Sequence, residues 1–213
     1  MAAFDFKKEY KDLYLPKNQP VIIDVPTMRF IMVEGKGDPN TSASYKEAVE
    51  VLYGLSYSIK MSKKGSTQPA GYFDYVVPPL EGLWWFEDNF FDGNVMGRKD
   101  EFSWLMMIRQ PEFVTPEVFE IAKESLKKKK PGIDTTIARL EDFTEGLCAQ
   151  IMHIGSYDDE PPTIAALEEF IEAQGYRTEM SGLRQHHEIY LADPRKTAPE
   201  KLKTVIRHPI AKR

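Results

Sequence analysis

The chain has 213 residues, of which 42% are hydrophobic and 12% aromatic, enough to build a folded core. Its net charge of -5 argues against a nucleic-acid-binding protein, which normally carries a basic surplus. Cys148 is the only cysteine, which excludes an internal disulfide and favours a reducing compartment. The sequence contains no signal peptide and no run of about 18 apolar residues. We therefore expect a soluble, cytoplasmic protein with neither nucleic acid nor membrane as a partner.

The first half of the chain alternates between strand-like and helical patterns. Two prolines and many polar residues mark an N-terminal arm, and apolar residues at helical spacing mark one helix. Pro78 and Pro79 interrupt a long β-prone stretch. The predicted elements are the arm at 1–20, a strand at 21–34, a helix from Tyr45 to Ile59, a β-prone stretch at 72–86 and a strand at 102–108.

The second half begins with a linking helix and then shows a similar order of elements. Gly175 follows the second of its helices, in the position of a left-handed helix cap. The predicted elements are the linking helix at about 116–130, a strand at 147–154, a helix at 161–174, a loosely strand-like stretch at 176–182, a strand at 187–191 and a C-terminal tail at 195–213.

The two halves match at a constant offset of 120 residues, which indicates an internal duplication. The matched pairs are Ile31 with Ile151, Met32 with Met152, Gly35 with Gly155, and Asp38 with Asp158. Met107 and Tyr190 also correspond, because each lies four residues before a proline. We predict an α+β fold of duplicated strand-helix-strand-strand modules, at about 21–111 and about 146–194, with pseudo-two-fold symmetry. Antiparallel sheets and a central ligand groove would follow from that symmetry.

The strand at 187–191 carries the sharpest candidate residues. Side chains alternate along a strand, so Glu188 and Tyr190 share one face while Ile189 and Leu191 share the other. The polar face is either an ordinary solvated surface or the floor of a binding site. A buried Glu188 would have a raised pKa and could pair with a cation or transfer a proton. Tyr190 could hydrogen-bond that carboxylate or a ligand carbonyl.

Aromatic residues are crowded into the later strands of the first half. They are Trp84, Trp85, Phe86, Phe90, Phe91, Phe102 and Trp104. Core packing explains any one of them, but indole faces also stack on flat ligands and attract cations. Alternation places Trp84 and Trp85 on opposite faces, so only one of the two is expected in a groove.

The histidines and glycines do not form a recognisable metal or phosphate site. His186 and His187 point to opposite faces of a strand and cannot both bind one metal. His153 either faces the groove or is a structural histidine. No glycine-rich phosphate loop is present. We therefore expect no metal and no cofactor.

At these residues the chain resembles the GyrI-like small-molecule-binding domain, which also forms the effector-binding part of multidrug-sensing regulators. The resemblance implies a single domain at 21–213 that binds a small hydrophobic aromatic or cationic ligand. The absence of a preceding helix-turn-helix leads us to expect a stand-alone binder. Four runs are similar to a subfamily described as cyclopropanoid cyclopropyl hydrolases: Val77–Trp85, Met107–Val114, Met152–Tyr157 and His186–Arg195.

The subfamily resemblance implies a specific activity, namely opening the cyclopropane of yatakemycin- and duocarmycin-type DNA alkylators. It implies catalytic roles for Glu188 and Tyr190. The candidates for an aromatic cage are Trp84, Trp85, Trp104 and Tyr190, and the remaining wall candidates are Tyr57, His153 and Tyr157. Three alternatives stay open: a drug-sequestering protein without chemistry, a haem-binding SOUL-like protein, and an interaction module whose groove takes a peptide.

Overall fold

The computed structural model describes residues 3–64, 68–87 and 98–213. Its helices are α1 (Phe6–Glu9), α2 (Lys11–Tyr14), α3 (Ala43–Met61), α4 (Pro116–Lys129) and α5 (Pro161–Ala173). Its strands are β1 (Val21–Val25), β2 (Met28–Lys36), β3 (Leu80–Trp85), β4 (Ser103–Arg109), β5 (Arg139–Phe143), β6 (Gly146–Ile154), β7 (Tyr176–Thr178), β8 (His186–Tyr190) and β9 (Lys203–Lys212). Phe90 and Phe91 lie outside the described residues.

One antiparallel sheet organises the molecule, with strand order β1-β6-β9-β8-β3-β4-β2-β5 and β7 paired to β9. The order is symmetric about the seam between β8 and β3, because β6-β9-β8 on one side mirrors β2-β4-β3 on the other. In each half a helix, α3 or α5, follows the first strand. The predicted α+β fold with two strand-helix-strand-strand modules is therefore confirmed.

The membership of the second module differs from the prediction. Its third strand is β9, within the stretch we had assigned to a C-terminal tail, and β8 corresponds to β3 rather than to β4. The proposed correspondence of Tyr190 with Met107 is therefore wrong. The pattern of β9 was misleading because it carries an arginine, a histidine and a proline, yet all three are buried: Arg207, His208 and Pro209. Residues 176–182 contribute only the short strand β7.

The two module helices cover one face of the sheet. Ser42 caps α3 by accepting a hydrogen bond from the backbone N–H of Tyr45, and Pro161 occupies the first turn of α5. The buried side chains of α3 are Ala48, Val51, Leu52, Leu55, Ser56 and Ile59, and those of α5 are Ile164, Leu167 and Ile171. No helix in the described ranges is long and apolar enough to cross a membrane.

The N-terminal arm packs on the protein rather than extending from it. Phe6, Leu13 and Tyr14 are buried. The backbone carbonyl of Leu13 accepts a hydrogen bond from Arg207 Nη2 at 2.8 Å, and that of Asp12 accepts one from Gln150 Nε2 at 2.6 Å. Two short helices of the arm therefore close over polar side chains of β6 and β9.

Beneath this arm lies a buried ionic network of four residues: Glu81, Glu145, His187 and Arg207. Glu145 accepts hydrogen bonds from Arg207 Nη1 at 2.9 Å and from His187 Nδ1 at 3.0 Å, while His187 Nε2 lies 3.1 Å from Glu81. Burial by itself would raise the pKa of Glu145, but the charges of His187 and Arg207 lower it to about 2. Burial would lower the pKa of His187, but Glu145 and Glu81 raise it above its ordinary value. The network thus pairs two glutamate side chains with two basic side chains, an arginine and a histidine.

Candidate functional site

A cavity of about 1230 Å³ lies over the seam between the two modules, on the sheet face that α3 and α5 cover. Its walls come from both modules. They include Tyr45, Tyr53 and Tyr57 of α3, Trp84 of β3, Glu160 and Ile164 at the start of α5, and Glu188 and Tyr190 of β8. At the floor β3 and β8 pair directly, with Gly82 opposite Glu188 and Leu80 opposite Tyr190. The expected central groove is therefore present, and its size suits a drug-sized ligand.

Trp84 is held over the floor of the cavity by a close fit to Gly82. Its indole Nε1 donates a hydrogen bond to the Tyr190 hydroxyl at 2.9 Å. A Cβ atom on Gly82 would lie only 2.8 Å from that Nε1 atom and 3.0 Å from the sulfur of Met106. Glycine at this position therefore leaves the space that the indole occupies.

We expect the Gly82→Ala variant to bind aromatic ligands about 3- to 10-fold more weakly, because the added methyl displaces the indole and breaks its hydrogen bond to Tyr190. Ligand-induced quenching of tryptophan fluorescence measures the affinity. Gly132→Ala is the matched control, since a Cβ there would meet nothing within 4 Å. Unchanged affinity in the Gly82→Ala variant, with normal thermal unfolding, would contradict this account of the Trp84 position.

Two buried glutamates form the polar centre of the cavity. Glu188 is 8% exposed and Glu160 is 4% exposed. Burial, the charge of Glu188 and the charge of Asp158 raise the pKa of Glu160 well above its ordinary value, and a hydrogen bond to Glu188 adds to the effect. Glu160 therefore keeps its proton to a higher pH than an ordinary glutamate does, and its hydrogen bond to Glu188 places that proton between the two side chains. Glu160 Oε1 is buried and has no hydrogen-bond partner among the described residues.

Three phenols surround the side chain of Glu188. Burial and the charge of Glu188 raise the pKa of Tyr45, Tyr157 and Tyr190, that of Tyr157 to about 12. Tyr190 also hydrogen-bonds Glu188. Tyr157 meets Tyr190 edge to face, with ring centroids 5.6 Å apart. All three hydroxyls remain neutral at physiological pH and can donate hydrogen bonds.

His186 is the third member of the polar cluster, with Glu160 and Glu188. Its Nε2 atom lies 3.1 Å from Glu188 Oε1. Glu160, His186 and Glu188 each offer one ligand atom, and these atoms lie within 4.8 Å of one another, a spacing that could hold a metal ion. Hydrogen bonds from His186 and Glu160 to Glu188 account for this spacing without a metal ion. We therefore interpret the cluster as a proton-sharing group rather than as a metal centre.

The structure brings five of the predicted site residues together and places three elsewhere. Glu188, Tyr190, Trp84, Tyr57 and Tyr157 line the cavity. Of the two adjacent tryptophans, Trp84 lines the cavity. Alternation along β3 turns Trp85 to the opposite face of the sheet.

Trp104 and His153 do not line the cavity. Trp104 is fully buried in β4 and contacts Tyr45 edge to face at 5.3 Å, so it supports the wall from behind. The ring of His153 lies 2.8 Å from Thr163 Oγ1 and 3.0 Å from the Ser156 carbonyl. These contacts fix the loop before α5, which is the structural alternative considered for this histidine.

The sequence prediction missed several residues of the site, among them Tyr45, Glu160 and His186. His186 offered a signal, because it shares the alternating face of Glu188 and Tyr190. Glu160 offered little, since an acidic residue before two prolines is an ordinary helix start. Tyr45 lies in the first turn of α3 and showed no sign of facing a ligand.

An antiparallel α+β domain with two related modules and an aromatic cavity at their seam defines a class of small-molecule-binding protein. Residues 18–211 match the family model of the GyrI-like small molecule binding domain. The chain therefore belongs to the GyrI-like family, as its resemblance had implied.

Solved structures of similar proteins agree with this assignment. An uncharacterized conserved protein from Listeria innocua is 50% identical, with 98% of this chain and 100% of that chain covered and a TM-score of 0.92. A hydrolase from Listeria innocua is 48% identical over 98% and 100% of the two chains, with a TM-score of 0.88. Another hydrolase from the same organism is 47% identical over 99% and 100%, with a TM-score of 0.89. A search of curated proteins found no match.

Proposed function

We propose that the chain is a hydrolase that opens the cyclopropane ring of yatakemycin- and duocarmycin-type DNA alkylators, and so protects the cell that makes it. The observation that carries the proposal is the buried, hydrogen-bonded pair of Glu160 and Glu188 inside an aromatic cavity, in which the pKa of Glu160 is raised. Two full-length relatives at 48% and 47% identity are described as hydrolases, which supports an enzyme over a passive binder.

The cavity walls favour a flat, hydrophobic substrate. Trp84 and Tyr45 lie side by side, with ring centroids 6.0 Å apart, and Tyr157 and Tyr190 extend the aromatic surface towards α5. Stacking and apolar burial bind such a ligand without any charge on it. The carboxylate of Glu188 also attracts cationic aromatic drugs, so the ligand class extends to other xenobiotics.

The two glutamates suit the chemistry of ring opening. In these alkylators the cyclopropane is conjugated to a carbonyl, so breaking its strained C–C bond sends an electron pair to that oxygen. A water forms the new C–O bond to the released carbon and gives its proton to Glu188. Glu160 gives its proton to the carbonyl oxygen, which becomes a phenol. Transfer of one proton from Glu188 to Glu160 then restores the pair, and the product differs from the substrate by one water.

The test is incubation of the protein with a cyclopropanoid alkylator, followed by mass analysis of the small molecule. We expect catalytic conversion to a product heavier by one water, at a rate above that of buffer and of heat-denatured protein. Quenching of tryptophan fluorescence together with recovery of the intact alkylator would contradict hydrolysis and leave a drug-sequestering protein.

A further inference from the structure

A series of hydrogen bonds leads from Glu188 away from the cavity to Glu168, a partly exposed residue of α5. His186 Nε2 contacts Glu188 at 3.1 Å, and His186 Nδ1 lies 2.7 Å from His208 Nε2. His208 Nδ1 then contacts Glu168 Oε1 at 2.5 Å. Glu168 also accepts a hydrogen bond from Thr178 Oγ1, and its side chain is 39% exposed. This series of hydrogen bonds thus links a buried glutamate side chain to a partly exposed one.

The number of protons shared by His186 and His208 follows from the glutamates at the two ends of this series, Glu168 and Glu188. Hydrogen bonds from His208 and Thr178 lower the pKa of Glu168 despite its partial burial, so this end is a carboxylate that only accepts. His208 Nδ1 must therefore carry a proton. If Glu188 is also ionised, His186 Nε2 must carry one too, and a third lies between the two rings. Three protons on four ring nitrogens give the histidine pair one positive charge.

Removing that charge changes the state of Glu188. With both histidines neutral, His208 keeps its Nδ1 proton, and its Nε2 accepts from His186 Nδ1. His186 Nε2 then has no proton, and the hydrogen bond to Glu188 persists only if Glu188 itself is the donor. The charge of the histidine pair and the ionisation of Glu188 are therefore coupled through one hydrogen bond.

We propose that His208 and Glu168 are positioning residues that keep Glu188 ionised and thereby assign the shared proton of the glutamate pair to Glu160. Neither residue lines the cavity, and both act through His186. The inference deepens the proposed function, since it explains which glutamate is the base and which is the acid. Its kinetic consequence rests on that function, whereas the ionisation itself can be measured without turnover.

The other titratable groups near the pair fit this assignment. Tyr45 of α3, Tyr157 before α5 and Tyr190 of β8 are neutral phenols that face Glu188. Asp158, also before α5, is an acid that favours the proton on Glu160.

His208 lies beside the carboxylate of Glu168, and His186 is the inner ring of the pair. Burial lowers the pKa of His186 to about 4, and the charges of His208 and of His187, which faces the opposite side of β8, add to this effect. A positive charge on His186 is therefore disfavoured.

The first test compares Glu168→Gln with Glu169→Gln, a neighbour on α5 that is exposed. Glutamine at 168 removes the negative charge beside His208, while its side-chain oxygen can still accept from His208 Nδ1–H. This favours the neutral histidine pair in the order of hydrogen bonds given above, and with it a protonated Glu188. We expect the acid limb of the kcat/KM profile to move up by about one pH unit, with roughly a 10-fold loss on that limb and recovery at high pH. KM should stay constant, and Glu169→Gln should match the unmodified protein. An unshifted limb, or an equal loss at every pH, would overturn the proposal.

The second test needs no substrate and separates this inference from the proposed hydrolysis. Nitrogen-15 NMR of labelled histidines reports which ring nitrogens carry protons. At neutral pH we expect three protonated nitrogens over His186 and His208 in the unmodified protein and two in Glu168→Gln. Two in the unmodified protein would refute the charged pair even if hydrolysis is observed. Three would sustain it even if the alkylator is returned intact.

Discussion

Replacement of Glu188 by glutamine should abolish most hydrolysis while ligand binding remains. Glutamine has nearly the same shape as glutamate, but it carries no charge and cannot accept a proton from water. General base catalysis typically contributes about 10²–10⁴-fold to a rate, so we expect kcat to fall by that factor. The walls of the cavity, led by Trp84 and Tyr157, are untouched by the change.

Steady-state kinetics and fluorescence quenching together test this expectation. The matched control is Glu120→Gln, which alters an exposed ion pair with Lys123 on α4, away from the cavity. It should leave kcat, KM and ligand affinity unchanged. Full activity in Glu188→Gln would remove Glu188 from the mechanism, whereas loss of ligand affinity in step with kcat would mean that Glu188 only binds.

The largest effect on stability is expected at Glu145, in the ionic network beneath the N-terminal arm. Glu145→Gln leaves Arg207 and His187 as buried cations with only Glu81 to balance them. Breaking a buried ion pair typically costs about 3–5 kcal/mol, because the remaining charge has lost its hydration and its partner. We expect a loss of that size in the free energy of unfolding, measured by urea denaturation. The same Glu120→Gln control should change it by less than about 0.5 kcal/mol.

The pH dependence of stability offers an independent check of this network. The pKa of Glu145 is lowered from 4.5 to about 2 in the folded state, so its contribution is present above pH 4.5 and is lost as the pH falls towards 2. The pKa of His187 is raised above 6.5, so its contribution is present below pH 6.5 and is lost as the pH rises through the raised value. Glu145→Gln should remove the acid-side loss. A variant as stable as the unmodified protein, with the same acid-side loss, would show that the network contributes nothing.

Alternation and duplication allowed much of the fold to be predicted from the sequence. The pairing of Glu188 with Tyr190, and the separation of Trp84 from Trp85, follow from the two-residue period of a strand. The duplication was visible because the first strands and the turns after them keep a constant offset of 120 residues, as in Ile31 and Ile151.

Later strands could not be matched by that offset, because the two modules have loops of different lengths. Ile31 pairs with Ile108 across β2 and β4, and Ile151 pairs with Ile206 across β6 and β9. Ile108 and Ile206 are therefore equivalent, although they are 98 residues apart. No single offset reveals both relationships, and β9 was accordingly missed.

The burial of individual side chains could not be predicted from the sequence either. Trp104 and Trp84 are the same residue type on neighbouring strands, and only the packing of α3 decides that one supports the wall and the other forms it. Glu160 joins Glu188 from a distance of 28 residues, through the docking of α5 on the sheet, and no local pattern records that contact.

The pseudo-two-fold seam also governs how a ligand can lie. Leu80 pairs with Ile108, and Glu188 pairs with the equivalent Ile206, so the two modules place a leucine and a glutamate at matching positions. By the same relation Gly82 matches Tyr190. A perfectly symmetric groove would accept a flat molecule equally well in two orientations, turned by half a revolution. Because the first module has Leu80 and Gly82 where the second has the Glu188 carboxylate and the Tyr190 phenol, the two orientations are energetically distinct, and polar atoms of a ligand are directed to one end of the seam.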